Sequence, residues 1–600
     1  MIEEKTRSEV SDEYKWDLTL MYKNEDEYKS DFEELKSYVQ NIKEYKGIIT
    51  KDAKTLLEFL KLDTKINILL TNLYVYASLK NDEDISNDEN KKRYNEISNY
   101  YSYMCSETSF ITPELLKTDY SVIKEYIKEN KELEEYKFNL EMIYRFQNYT
   151  LSEREEKLIS NISELQNKYE NNFDLLLYTL IDYGYIKDED NNDVKLTNGN
   201  YSKYIKSKDR NVRKMAFEAR VKELKKFSSI LGSNYEAYIK ADSMIAKAKG
   251  YNSNLHMHLF PDGVTEEMYN NLLLVADENK SVLHKYFSMI KDVLKLDELY
   301  VYDLSAPLTT SYNKKYLPED AKKIILEALS IYGTEYTKIL NKAFDEKWID
   351  FYPNKGKKSG YYQTDSFIGN PKILGNYNDD LNSVSSITHE LGHAVHSYFS
   401  KKHNKPQTAE YPIIVAEVAS LTNEMILSNY IVENSDSKEE KLRAIENILD
   451  VFSGNFFGTL KEGSVFEKRV HNLINEEQTL TDADFNNIFL EINKDYYGPL
   501  VKGVDDTKYN WSRISHFYVP FYYYKYSIGV IGACYVCKKI LSNDKDYLNK
   551  YLNFLKIGGT MMPIDALKTI DIDFTDTSVL EEGIEYFNEL IDKFITIYNS

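Results

Sequence analysis

Over three long stretches, Asp26 to Ile42, Ser152 to Leu180 and Lys438 to Val451, apolar residues recur at spacings of three and four among charged ones. That spacing is the period of an amphipathic helix, and it predicts a mostly α fold. Breakers are few, with 22 glycines and 11 prolines in 600 residues, so the helices should be long. No fixed-period repeat and no low-complexity tract interrupts the pattern. Extended signals are local. Residues 188–199 are polar and rich in turn formers and read as a hairpin or loop, and Ser207 to Arg210 resembles a capped helix start. A boundary is therefore expected near residue 200, between an N-terminal helical part (1–200) and a larger helical part (201–600). A second irregular stretch, Phe351 to Asn376, places Gly356, Gly360, Gly369 and Gly375 around Tyr361, Tyr362, Phe367 and Ile368. A glycine-flanked extended segment of this kind suits a small β element bordering a site, which makes Gly360 and Tyr361 candidate substrate contacts.

Composition narrows the partners. The formal net charge is −21, and lysines alternate with acids as on solvated helix faces, so neither nucleic acid nor an anionic membrane is an expected partner. The most apolar stretch, Ile528 to Cys537, is far shorter than the roughly 20 residues of a membrane span. The first residues lack an apolar signal region, and only Cys105, Cys534 and Cys537 are present, so a reducing cytoplasm is the expected location. Cys534 and Cys537 form a CxxC without a second pair, and read as small buried helix residues. At 600 residues the chain exceeds a single core, so two or three subdomains are expected.

The chemistry concentrates at residues 388–396, which read Thr-His-Glu-Leu-Gly-His-Ala-Val-His and hold three of the nine histidines. On a helix, His389 and His393 point the same way one turn apart and share a metal, while Glu390 beside them is free to take a proton from water. Val384, Ile387, Leu391, Val395 and Tyr398 form the opposite, apolar stripe. Gly392, costly in mid-helix by about 1 kcal/mol, suggests that space matters there. A catalytic metal needs a third protein ligand and an open position. His396 shares the histidine face but lies about 10 Å along the axis from His389, too far for one ion, and reads as a supporting or substrate-facing residue. Glu417, in the otherwise apolar segment 410–427 whose helix Pro412 introduces, is the better candidate, because a buried carboxylate needs a partner. Glu424, seven residues on, is placed to orient a ligand histidine.

At this point the sequence resembles oligoendopeptidase F, a branch of the thimet oligopeptidase-like zinc metallopeptidases. The matching text runs in order through Tyr14 to Tyr22, Lys347 to Gly360, His389 to His396, Glu417 to Ser420 and Trp511 to Tyr518. The resemblance implies an almost wholly helical HExxH domain around a deep substrate channel. It implies one zinc per chain on His389, His393 and Glu417, with Glu390 as general base, and short peptides as substrates. It also implies a histidine and tyrosines at the scissile carbonyl. His516 fits the first, and Tyr524 (catalytic) and Tyr518 (substrate-binding) are the favoured tyrosines among several possible registers.

The expected reaction is hydrolysis of internal bonds in short peptides, by a zinc-activated water with Glu390 as base. The chain itself is expected to be a monomer or a weak homo-oligomer. Two alternatives stand beside this reading. One is a metal-dependent exopeptidase, which needs a group to capture a free terminus that the sequence does not reveal. The other is a non-catalytic helical peptide-binding protein, for which a closed four-ligand metal site would be expected.

Overall fold

The computed structural model describes residues 5–309 and 312–600. Helices account for 71% of the protein and the strands are few and short, as the periodicity predicts. Among the described residues no helix is long and apolar enough to cross a membrane.

The chain forms two compact units. The first gathers residues 1–153, 313–427 and 539–570, and the second residues 154–312, 428–538 and 571–600. The expected division at residue 200 is thus replaced by an interleaved one. The reason lies in the 188–199 segment. It is a hairpin, Tyr185–Lys187 against Asp193–Lys195, and it does not act as a linker. Its Ile186 and the adjacent Leu196 are buried with Tyr204, Val212 and Phe217 of the following helices, so the hairpin belongs to the second unit.

In the first unit, helix α1 (Ala53–Glu83) starts at Asp52, whose side chain accepts from the Thr55 amide. Leu56, Phe59 and Leu73 of α1 join Leu35, Val39 and Ile42 in its core. Next to this core lies a three-stranded sheet of β1 (Ile349–Asp350), β2 (Tyr362–Thr364) and β3 (Lys372–Leu374). Its order is β1–β3–β2, with β3 parallel to β1 and antiparallel to β2, so β2 is an edge strand. Two sequence segments far apart in the chain meet here. The Phe351 amide donates to the Tyr14 carbonyl at 2.9 Å, and the Trp16 amide to Asp350 Oδ2 at 3.3 Å. Asp350 is fully buried and paired with Arg7 and Lys357. Burial alone would raise its carboxyl, but the two cations hold it below the ordinary carboxylate range. In the turn before β2, Gly356 has φ +82°, and a Cβ there would lie 2.2 Å from Asp84 Oδ1, so only glycine fits.

The sheet is followed by the two helices that matter most for function, α2 (Leu381–His403) and α3 (Ile413–Asn434). Asp380 caps α2 by accepting from the Ser383 amide at 2.7 Å. Pro412 immediately precedes α3, and its carbonyl accepts from the Val415 and Ala416 amides of that helix.

The second unit is built on the 39-residue helix Arg210–Ala248. It also contains a 13-residue π-helical stretch, Ser453–Val465, and the loop around His516 that leads into helix Tyr524–Leu541. Cys534 and Cys537 are fully buried free thiols on that last helix.

Candidate metal centre and its surroundings

Helix α2 is buried on nearly every side. Val384, Ile387, Leu391 and Val395 are fully covered, as the apolar stripe predicts, but so are Thr388 and Ala394. His389 and His393 keep partial access, with side chains 21% and 14% exposed. Their ligand partner arrives on α3, and Gly392 is what lets α3 come close. A Cβ at Gly392 would meet Ser420 Cα at 2.6 Å and Ser420 N at 3.0 Å. The space that glycine provides is therefore filled by the backbone of α3, and this close approach sets Glu417 opposite the histidines.

Three donors converge at that point. His389 Nε2 is 3.2 Å from His393 Nε2 and 3.5 Å from Glu417 Oε2, and His393 Nε2 is 3.9 Å from the same oxygen. Ligands about 2.0–2.1 Å from one tetrahedral ion stand about 3.3 Å apart. The observed spacing and the two-imidazole, one-carboxylate chemistry both fit zinc, and among the described residues three protein donors make up the group. Supporting contacts fix the donors. Glu424 Oε1 lies 2.7 Å from His389 Nδ1, which leaves Nε2 as the metal-facing nitrogen. Ser385 Oγ donates to the other Glu424 oxygen at 2.8 Å, and Ser420 Oγ to Glu417 Oε2 at 3.1 Å.

Three carboxylates, Glu390, Glu417 and Glu424, make a field that favours positive charge here. Burial opposes a charged His389, yet Glu424 and the other acids raise it to about 10. A divalent cation would draw on the same field. Burial and the two neighbouring imidazoles push His393 well below the usual range, so its nitrogen lone pair is free to ligate. Burial pushes the Glu390 carboxyl up to about 7 despite His389, with Glu417 and Glu424 adding to the rise. The backbone amide of Gln363, in β2, counters part of it. Strand β2 thus borders the acid that is expected to handle the proton. A cavity of about 390 Å³ opens beside His393, lined among others by Gln363, Thr364, Ser397 and Tyr411. Gly360 (φ +90°) and the half-buried Tyr361 stand at the start of this edge strand.

Of the two roles expected for His396, supporting or substrate-facing, burial removes the second. His396 is 1% exposed and stacked on Tyr411, ring centroids 3.7 Å apart, so it does not face a substrate. Burial drops it to about 3, and it stays neutral. Its place is structural, because Tyr411 in turn bonds Ser397 Oγ at 2.9 Å and the His393 carbonyl at 3.3 Å.

His516 and the C-terminal tyrosines belong to the second unit. Burial pushes His516 below the ordinary imidazole range. Two tyrosine assignments are corrected by burial. Tyr524 is fully buried and its hydroxyl donates to Asp262 at 3.0 Å, so it has no free hydroxyl for a substrate. Tyr518 is 6% exposed and its hydroxyl accepts from Asn234 at 2.8 Å. The tyrosine that reaches His516 is Tyr526, with its hydroxyl 3.4 Å from Nε2, and the Tyr523 ring lies against the imidazole at 4.6 Å. Pro520 and Phe521 set this register. Phe521 holds a left-handed φ of +54° while its amide donates to the buried Glu467 at 2.8 Å, a turn that the tyrosine-rich text does not reveal.

Comparison with known proteins shows which family the chain is similar to. Residues 203–586 match peptidase family M3, and residues 114–182 match oligopeptidase F. Oligopeptidase PepF of Bacillus subtilis is 33% identical over 98% of this chain and 88% of its own length. An oligoendopeptidase F homolog of Borreliella burgdorferi is 32% identical over 99% of both. The crystal structure of oligoendopeptidase-F from Enterococcus faecium superposes with a TM-score of 0.75 at 27% identity, covering 96% of this chain and 99% of that one. With a helical fold, a convergent His/Glu donor group and matches along its whole length, the chain belongs to peptidase family M3, in the oligoendopeptidase F branch, and is a metallopeptidase.

Proposed function

We propose that this metallopeptidase is a zinc endopeptidase that hydrolyses internal bonds of short peptides. The observation that carries the reading is the trio His389, His393 and Glu417 at tetrahedral ligand spacing, with the buried Glu390 next in sequence. Zinc held there supplies a Lewis acid that polarises the scissile carbonyl and acidifies water. Glu390 takes the proton from the attacking water and delivers it to the leaving amine. His389 is kept in the correct tautomer by Glu424, and Glu417 is held by Ser420. The resemblance implies a role for His516 at the developing oxyanion, and within the second unit its Nε2 lies 3.4 Å from the Tyr526 hydroxyl. Strand β2, at the edge of its sheet, offers an extended peptide the main-chain groups that Glu390 does not take, with Gly360 and Tyr361 at one end.

Glu390→Gln tests the reading. The variant should keep its metal and lose turnover by a factor of about 10² to 10⁴. Peptides blocked at both ends should still be cut by the native enzyme. Retained turnover in the variant, or cleavage confined to unblocked peptides, contradicts the base assignment or the endopeptidase assignment respectively.

A further inference from the structure

Helix α1 turns a polar stripe toward a cavity inside the first unit. Asp63, Thr64, Asn67 and Thr71 recur at helical spacing on one face of α1 and line a space of about 400 Å³. Helix Lys137–Arg145 supplies a second wall, and Phe367 and Gln407 supply the rest. All of these residues belong to the first unit, and none of His389, Glu390, His393 and Glu417 takes part. Hydrogen bonds tie the walls to one another. The Phe367 amide donates to Asn72 Oδ1 of α1 at 2.8 Å, and Asn139 Nδ2 donates to the Gln407 carbonyl at 2.9 Å. The fold therefore holds the space open, and its size falls within the roughly 300–1,000 Å³ of small-molecule sites.

The cavity carries negative charge without counter-charge. Asp63 is half-buried on its wall and makes one hydrogen bond, accepting from Asn67 Nδ2 at 3.1 Å. No Lys, Arg or His lines the cavity. Burial pushes the Asp63 carboxyl up to about 6, opposed by the Asn67 bond and by no nearby cation. A second carboxylate, the exposed Glu410, shares the lining. On the wall between them, Asn139 Oδ1 is sealed from solvent without a partner. Acceptors left in this condition cost free energy until a donor reaches them. Among the described residues the two acids belong to no group of three metal donors, so the charge is not arranged for a metal ion. The rest of the lining is largely hydrocarbon, from Leu60, Ile68, Leu140 and Ile143. A ligand that complements it has a charged donor at one end and an apolar stem.

We propose that this cavity is a binding site for an organic cation, a primary ammonium or a guanidinium on a short apolar stem, with Asp63 as its counter-charge. The head makes a charge-assisted hydrogen bond to the carboxylate, about twice as strong as a neutral one. The stem covers Leu140 and Ile143 and removes their apolar surface from water. The site stands independently of the peptidase reading. Its cationic head comes either from a free small amine or from the N-terminus or a lysine of a longer peptide, because Glu410 also lines the cavity beside His393.

Calorimetry on the full-length, zinc-loaded protein tests the proposal, with pentylamine, pentylguanidine and neutral pentanol as probes. At about pH 8, where an acid of this kind is ionised, both cations should bind at least about tenfold more tightly than the alcohol. Asp63→Asn keeps the shape of the wall and should bring the three probes within about twofold of one another. Asp63 has no cationic partner to strand, so the variant is expected to fold. A crystal of the native protein soaked with pentylguanidine gives a second reading that needs no variant. The head should lie within about 3 Å of an Asp63 oxygen. No saturable binding of either cation, a preference for cations that survives in Asp63→Asn, or a soaked head placed elsewhere overturns the proposal. Competition on the Glu390→Gln protein separates the two sources. Displacement of pentylamine by a peptide with a free N-terminus or a lysine, and not by its fully acetylated form, assigns the head to the peptide. Binding of amine and peptide together assigns it to a free small molecule.

Discussion

Glu424 decides which nitrogen of His389 is free, and the contact that does so is 2.7 Å long. Glu424→Ala should therefore weaken zinc binding or activity by about 10- to 100-fold, as loss of such outer partners does elsewhere. Zinc titration against a competing chelator reads the change, and unaltered affinity would remove Glu424 from the site. Glu390 makes a second prediction. A base must be ionised, and its carboxyl is pushed up to about 7 by burial, so activity should fall as pH drops through that region. A bound cation favours the ionised form, so the acid limb of kcat/KM should appear at or below about pH 7. A profile flat down to pH 4 contradicts this role. The HExxH spacing with its apolar flank pointed to His389, Glu390 and His393 in the sequence, and an acid stranded in an apolar run, together with the family resemblance, pointed to Glu417. The tyrosines were not legible, because their register depends on the positive φ at Phe521, which no residue type announces.

Two packed elements carry the candidate metal donors, and Gly392 is where they touch. On helix propensity alone, Gly392→Ala would stabilise α2 by about 1 kcal/mol. The contact with Ser420 at 2.6 Å reverses the sign, and overpacking of this kind costs about 1–3 kcal/mol. The variant should unfold at lower denaturant and bind zinc less tightly, since α3 moves away with Glu417. A gain in stability with zinc affinity intact contradicts the close-approach argument. The sheet has its own fixed point in Asp350. Asp350→Asn leaves Arg7 and Lys357 without their shared partner and should cost about 3–5 kcal/mol. Its folded pKa is depressed, so its contribution is present above the ordinary carboxylate value of about 3.9 and disappears as pH falls from there through the folded value. Denaturant unfolding at pH 7 and in the acid range checks both statements. Helices were legible from their period, whereas strands of two or three residues carry too short a pattern to be read. Only the glycines around them gave a signal.

Across the whole molecule, the two units are each assembled from three separate stretches of chain. Linear reading placed a boundary at a polar segment near residue 200. Burial of Ile186 and Leu196 against the helices after it shows that the segment is structural. Interleaving of this kind depends on which apolar faces meet, and local composition does not encode it. What the linear text did hold was co-occurrence. Tyr14 to Tyr22 and Lys347 to Gly360 are more than 300 residues apart and dock on each other through Asp350. His389, His393 and Glu417 are likewise brought from two helices to one point. Anomalous diffraction at the zinc edge from crystals of the zinc-loaded protein tests that convergence most directly. One peak per chain is expected, about 2.0–2.2 Å from His389 Nε2, His393 Nε2 and a Glu417 oxygen. A peak bound by other residues, or full occupancy in a Glu417→Ala protein with unchanged affinity, contradicts it.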